Sequence, residues 1–287
     1  MSEKIILVTG ANGQLGSEIR RLETKFPAYK FLFTDYDELS ITDEKAVEQF
    51  FEENRPDFCI NCAAYTAVDK AEEKSELYLV EKLNADAVGY LANQCSKYHT
   101  KFLHISTDYV FDGLSSTPYT ELDVPNPVSV YGATKLKGEK LAIQNTDAII
   151  IRTSWVYSSF GKNFVKTMMR LMQEKNEVKV VKDQFGTPTY AADLAAVILH
   201  IIKSGKWQSG IFHYSNDGIT TWYHFAIAIR NIGKYSCAVN PIPTSSFPTP
   251  AKRPAYSVLN KSKISEVYLI QPPPWRDSLV ECLKILI

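Results

Sequence analysis

Through the first half of the chain, short runs of β-branched and apolar residues alternate with longer segments whose apolar positions recur every three to four residues. That alternation is the signature of βαβ units, in which helices cover both faces of a parallel sheet. It predicts strands at Lys4–Thr9, Lys30–Thr34, Phe58–Cys62, Lys101–Ser106 and Ala148–Arg152. Helices are predicted at Gln14–Phe26, Asp43–Glu53 with Thr42 as N-cap, Glu76–Tyr98 and Val128–Gln144.

After Arg152 the rhythm loosens. Further strands are predicted at Val178–Val181 and Gly210–Tyr214, and the stretch Asn240–Pro254 carries Pro241, Pro243, Pro248, Pro250 and Pro254. No helix or central strand accepts that density of proline, so a long structured loop is expected there. The fold class is therefore α/β: a doubly wound parallel sheet formed by residues 1–152, with strands returning near 177–182 and 209–215. A smaller α/β lobe is expected from 153–176 and 216–287. A chain of 287 residues is long enough for such a division and for a sizeable core.

Charge narrows the partners. The 32 basic and 32 acidic residues cancel, which leaves no global field to hold nucleic acid or an anionic membrane. The start, Met1-Ser2-Glu3-Lys4 followed by a short apolar strand, has neither a signal-peptide core nor a bilayer-spanning run, so a cytoplasmic location is expected. Five cysteines at irregular spacing argue against a disulfide framework. Cys59 and Cys62 form a C-x-x-C inside a strand whose alternation sends them to opposite faces, and they are read as buried structural residues.

The first chemical motif is Gly10-Ala11-Asn12-Gly13-Gln14-Leu15-Gly16, directly between the first strand and the first helix. Glycines there let backbone approach a pyrophosphate, whose charge then meets the free amides of the helix N-terminus. The spacing is G-x-x-G-x-x-G, yet strand, turn and helix fall where the mechanism needs them. Asp35 ends the second strand, about twenty residues further on, where a carboxylate accepts bonds from adenosine ribose hydroxyls. With Asp37 and Glu38 beside it and no arginine near, a 2′-phosphate would be repelled. NADH is the expected cofactor of this Rossmann-type domain, with NADPH left open.

The second motif is Tyr131-x-x-x-Lys135, preceded by Pro125, Asn126 and Pro127, which suit a helix start. One helical turn apart, phenol and ammonium share a face, and the lysine is expected to lower the tyrosine pKa and ready it for proton exchange with a carbonyl oxygen. Thr107, after Ser106 at the end of the fourth strand, is placed to hydrogen-bond the same oxygen.

This set resembles the extended short-chain dehydrogenase/reductase superfamily, whose working group is a Ser/Thr, a Tyr and a Lys. The resemblance narrows with Asn61-Cys62-Ala63-Ala64-Tyr65-Thr66-Ala67-Val68-Asp69-Lys70-Ala71-Glu72 and Ser106-Thr107-Asp108-Tyr109-Val110-Phe111-Asp112-Gly113. Arg152-Thr153-Ser154-Trp155-Val156-Tyr157, Asn163-Phe164, Asp183-Gln184-Phe185-Gly186-Thr187-Pro188-Thr189 and Arg253-Pro254 follow the same pattern. Together they are similar to the dTDP-4-dehydrorhamnose reductases. The resemblance implies reduction of the 4-keto group of dTDP-4-dehydro-β-L-rhamnose by NADH or NADPH, with a nucleotide sugar as partner. It places Ala63, Ala64 and Tyr65 along the cofactor cleft, and Thr107, Asp108, Tyr109, Tyr131 and Trp155 around the sugar. Core packing is the competing reading of Trp155. Lys252 and Arg253 are candidates for the substrate pyrophosphate, with solvated charge as the alternative.

Some members of the family form a magnesium-bridged dimer through glutamates. Here Glu18 is suitably placed, but Ala192 stands where a second acid is expected, so no structural metal is predicted and monomer and homodimer both stay open. Two other functions share these features. One is a different nucleotide-sugar reductase or epimerase of the superfamily. The other is a non-catalytic subunit similar to the regulatory β subunit of methionine adenosyltransferase, against which the complete Thr107, Tyr131 and Lys135 set argues.

Overall fold

A computed structural model describes residues 3–287. Its main sheet has six parallel strands. In spatial order they are Gly210–His213, β5 (Ile149–Thr153), β4 (Lys101–Thr107), β3 (Phe58–Asn61), β1 (Lys4–Thr9) and β2 (Tyr29–Thr34). The chain winds outward from β1 to β2 and then crosses back to β3, so a topological switch point lies between β1 and β3. Ligands of open α/β sheets bind beyond the carboxyl ends of the strands at such a point. The pairings Thr9↔Asn61, Asn61↔His104 and Thr107↔Thr153 bring the strand ends to that one edge.

Both faces of the sheet are covered, which explains why its strands read as nearly continuous apolar runs. Ile6, Val8, Ile60, Leu103 and Ile151 face one core with Ile19 of helix α1 (Gln14–Leu22) and Ile198 of the helix Ala191–Lys203. Leu7, Cys59, Phe102 and Ile150 face the other, with Val47, Phe51, Val88 and Leu91. All five cysteines are free, and Cys59 and Cys62 pack into different cores.

Several boundaries differ from expectation for local reasons. The second helix runs Glu44–Asn54 and is capped by Asp43, whose carboxylate accepts from the Lys45 and Ala46 amides, while the Thr42 hydroxyl pairs with Ser40. The segment Glu76–Tyr98 is not one regular helix: Leu77–Glu81 and Ala87–Lys97 are joined by a π-helical turn, Lys82–Asp86. That turn holds Asn84 inward, where its amide is bonded to the Tyr65 backbone and to Thr134.

The strand Glu177–Val181 does not return to the main sheet. It pairs in parallel with Ala238–Ile242, because its inward residues Val178 and Val180 belong to a second core with Met168, Met172, Phe225 and Leu279. Pro241 lies inside that partner strand, so the proline-rich loop begins later than predicted, after Ile242; a two-stranded sheet tolerates the missing amide. The helix Ser262–Tyr268 also departs from the expected division, since Ile264 and Tyr268 pack into the core of the main sheet and not into the lobe.

Candidate functional site

A cleft of about 940 Å³ lies across the carboxyl edge of the sheet. Gly10, Asn12, Gly13, Gln14, Leu15, Asp35, Ala63 and Ala64 are among the residues that line it, as are Thr107, Asp108, Tyr109, Tyr131, Lys135 and Trp155. Gly16, Tyr65, Lys252 and Arg253 do not line it.

In the first of these sets, Gly10 adopts a left-handed φ of 65°, and a Cβ there would stand 2.6 Å from the Ala63 amide nitrogen. Only glycine permits that approach between the β1 turn and the chain after β3. Gly13 caps α1 without any side-chain acceptor, so the first-turn amides stay available to an anion. Gly16 acts differently: its missing Cβ lets the helix sit against the Gly10 carbonyl and Ala11, which makes it a packing residue behind the wall. Asp35 accepts from the Asn12 amide at 2.9 Å through one oxygen and from the Tyr36 amide at 2.9 Å through the other, which fixes the carboxylate beside the glycine loop. These residues fit a dinucleotide: close backbone approach, uncapped amides and a tethered carboxylate occur together.

In the second set, the helix Val130–Asn145 is capped by Ser129, whose hydroxyl accepts from the Gly132 amide. Gly132 fits against the Tyr109 carbonyl, which a Cβ would strike, and the Tyr109 and Tyr131 rings meet edge-on at 5.6 Å. Lys135 is buried and donates to the Ile105 carbonyl at 2.6 Å. Burial holds it down to about 8, opposed chiefly by the negative charge of Glu139.

The expectation that Lys135 acidifies Tyr131 is not met. Burial pushes the Tyr131 phenol up to about 12, the Asp108 charge adds to this, and only a hydrogen bond with Thr107 opposes it. The cause is direction: the lysine nitrogen is aimed at the β4 backbone and at His104, 3.3 Å away, and not at the phenol. Thr107 donates to Asp108 at 3.0 Å and accepts from the Tyr109 amide. Burial raises Asp108 to about 6, opposed by the Ser257 and Thr107 hydroxyls.

Trp155 takes a left-handed φ of 47°, and its indole stacks on Trp222 at 3.6 Å with planes 10° apart. Gly186 leaves the room the indole needs, since a Cβ there would sit 2.6 Å from the ring. Trp222 also lines the cleft and was missed by sequence reasoning; at the start of the apolar helix Trp222–Ile232 it reads as core, and only the fold sets it against Trp155.

Of the residues that the sequence singles out, Arg253, Tyr65 and Glu18 are engaged with other side chains. Arg253 is partly buried and makes a bidentate pair with Asp69 at 3.0 and 2.7 Å, whereas Lys252 is exposed outside the cleft as a surface charge. The Tyr65 hydroxyl donates to Glu76, pulling the ring from the cofactor wall. Glu18 is fully buried, accepting from Ser158 at 2.6 Å and paired with Arg21 at 2.9 Å. No cluster of three or more metal-binding side chains occurs among the described residues. Nor, among them, is any helix long and apolar enough to cross a membrane.

Residues 4–287 match the family model of the RmlD substrate binding domain. A dTDP-4-dehydrorhamnose reductase of Burkholderia thailandensis is 42% identical over 98% of this chain and 99% of its own. The crystal structure of a dTDP-4-dehydrorhamnose reductase from Clostridium acetobutylicum superposes with a TM-score of 0.93 at 43% identity, covering 98% of this chain and 99% of that one. The structure of the Bacillus anthracis dTDP-4-dehydrorhamnose reductase in complex with NADP superposes with a TM-score of 0.94 at 37% identity, covering 99% and 100%.

Proposed function

Because the chain belongs to the dTDP-4-dehydrorhamnose reductase family, we propose that it reduces the 4-keto group of dTDP-4-dehydro-β-L-rhamnose to give dTDP-β-L-rhamnose, in the cytoplasm, with NADH or NADPH. The observation that carries this reading is that Thr107, Tyr131 and Lys135 share one cleft wall with an uncapped helix N-terminus and a glycine turn.

The glycine loop holds the pyrophosphate and Asp35 the adenosine ribose. The cofactor, when bound, would supply hydride chemistry for the sugar carbonyl at carbon 4. Tyr131 delivers the proton to the carbonyl oxygen. A phenol held near 12 stays protonated at neutral pH, as a reductase running in this direction needs its general acid to be. Thr107, by turning its one O–H from Asp108 to the substrate, would hold the developing oxyanion, and Lys135, still largely an ammonium at pH 7, would bind the nicotinamide ribose. The paired indoles of Trp155 and Trp222 give the sugar an apolar face to lie on. Arg253 remains with Asp69 and is assigned no ligand.

The test is nicotinamide absorbance decay with enzymatically generated dTDP-4-dehydro-β-L-rhamnose beside a panel of other keto nucleotide sugars. Highest kcat/KM on the rhamnose precursor is expected. A higher value on another keto sugar would move the assignment to that substrate, and no turnover of any would return the protein to the regulatory reading.

A further inference from the structure

Below the cleft lies a buried ion pair that the chemistry above does not use. Glu139 and Arg152 are each 1% exposed. Arg152 Nε donates to Glu139 Oε1 at 2.9 Å and Nη2 to Oε2 at 2.7 Å, while the Ser106 hydroxyl donates to the same Oε1. Three elements are tied at one point: the helix carrying Tyr131 and Lys135, the end of β4 beside Thr107, and the end of β5.

Stability alone is a poor reason for such a pair, because removing two charges from water costs much of what their attraction returns. The placement of the charges is asymmetric. Glu139 lies one helical turn beyond Lys135 on the same face, and its charge acts on that lysine. Arg152 is turned away, over the Phe111 ring at 5.1 Å, and its charge adds to the burial that holds the His213 imidazole down to about 3.

Around Lys135 the other neighbours do not supply a counter-charge. From β3, the Cys62 thiol is kept protonated by burial. The Asn61 amide, at the end of β3, is oriented by the Thr9 hydroxyl and the Ala63 amide, so its NH2 group donates to Nδ1 of His104 on β4. A neutral His104 then carries its proton on Nε2, 3.3 Å from the lysine nitrogen, where it opposes an ammonium. Tyr131, on the same helix, is an uncharged phenol.

We infer that Glu139 and Arg152 are positioning residues for the reaction: the pair fixes the Tyr131–Lys135 helix against Thr107, and the Glu139 end supplies the charge that keeps Lys135 an ammonium. The inference rests on the reading that Tyr131 and Lys135 carry the chemistry. A merely structural pair would be equally sensitive at either end. A positioning pair with this orientation is not.

The experiment follows Lys135 directly in the full-length protein, by NMR titration of ε-carbon-labelled lysine assigned with Lys135→Met, alongside the pH profile of kcat/KM. Glu139→Gln is expected to move the Lys135 titration and the alkaline limb together to lower pH, by about one pH unit or more, so that activity at pH 8 falls roughly fivefold or more further than at pH 6. Arg152→Gln is expected to move both to higher pH or leave them in place. Should either single variant fail to fold, the neutral pair Glu139→Met with Arg152→Leu removes the buried charges together, and it must show the same downward shift as Glu139→Gln. A Lys135 titration unmoved in Glu139→Gln or in the neutral pair, with activity lost equally at every pH, would overturn the inference. Because the titration needs no substrate, it stands even if the sugar assignment fails.

Discussion

The two ends of the cleft are built in different ways. The cofactor end is made of segments that each follow immediately after a strand of the main sheet: the Gly10 turn after β1, Asp35 after β2, and Ala63 and Ala64 after β3. The sugar end joins Thr107 after β4 to a helix residue, Tyr131, and to two indoles sixty-seven positions apart, seated by Gly186. A parallel sheet delivers its strand ends to one edge by topology alone, so the first end needs little beyond the sheet. The second depends on the packing of a lobe with its own core. Substitutions at the two ends should therefore separate cofactor effects from sugar effects, and the junction at Tyr131 should affect turnover without affecting either affinity.

The largest effect is expected there. Tyr131→Phe keeps the ring against Tyr109 and removes the proton donor, so kcat should fall by about 10²–10⁴-fold while NADH affinity, read by fluorescence titration, stays near that of the parent. Full activity in this variant would remove the general acid from the mechanism.

Next comes the cofactor end. Asp35→Ala removes a carboxylate held against the glycine loop, and the ratio of kcat/KM with NADPH to that with NADH should rise by roughly tenfold or more, since a bond to a charged group is worth about 1.5–3 kcal/mol. The KM for the sugar nucleotide should not follow. An unchanged cofactor ratio would end the ribose assignment.

A smaller effect, on the opposite ligand, is expected from Trp222→Ala. Losing an aromatic partner is worth about 0.5–1.5 kcal/mol beyond its area, so the sugar-nucleotide KM should rise roughly three- to tenfold with NADH affinity unchanged. Equal losses for both ligands would mean that the indole pair supports the fold and not the sugar. Smallest of all, Lys252→Ala should leave both Michaelis constants within about twofold, as expected of a solvated surface charge.

The contrast between the two ends also describes what the sequence reveals. Strand existence, order of elements and the glycine turn follow from local period and from residues a few positions apart, and β1 is found at Lys4–Thr9 as its pattern predicts. The strand Glu177–Val181 looks the same locally as one returning to the main sheet, and only the apolar partners Met168, Met172 and Phe225 decide otherwise. Arg253 carries the charge a diphosphate would want, yet Asp69, far away in sequence, takes it. The Tyr131–Lys135 spacing correctly sets both on one wall of the cleft, but the proton affinity of the phenol depends on burial and on the direction of the lysine nitrogen, neither of which spacing encodes. Trp222 has no local signal, because an aromatic residue opening an apolar helix is the ordinary appearance of core.

The central claim, reduction of a nucleotide-sugar ketone at carbon 4 in this cleft, is tested most directly by following the transferred hydrogen. The wild-type protein would be given NADH deuterated at carbon 4 of the nicotinamide, on whichever face is transferred, together with dTDP-4-dehydro-β-L-rhamnose, and the product read by NMR and mass spectrometry. One deuteron at carbon 4 of dTDP-β-L-rhamnose per NADH consumed is the predicted result. A protein that binds NADH and the keto sugar yet leaves carbon 4 unlabelled and the NADH unoxidised would contradict it.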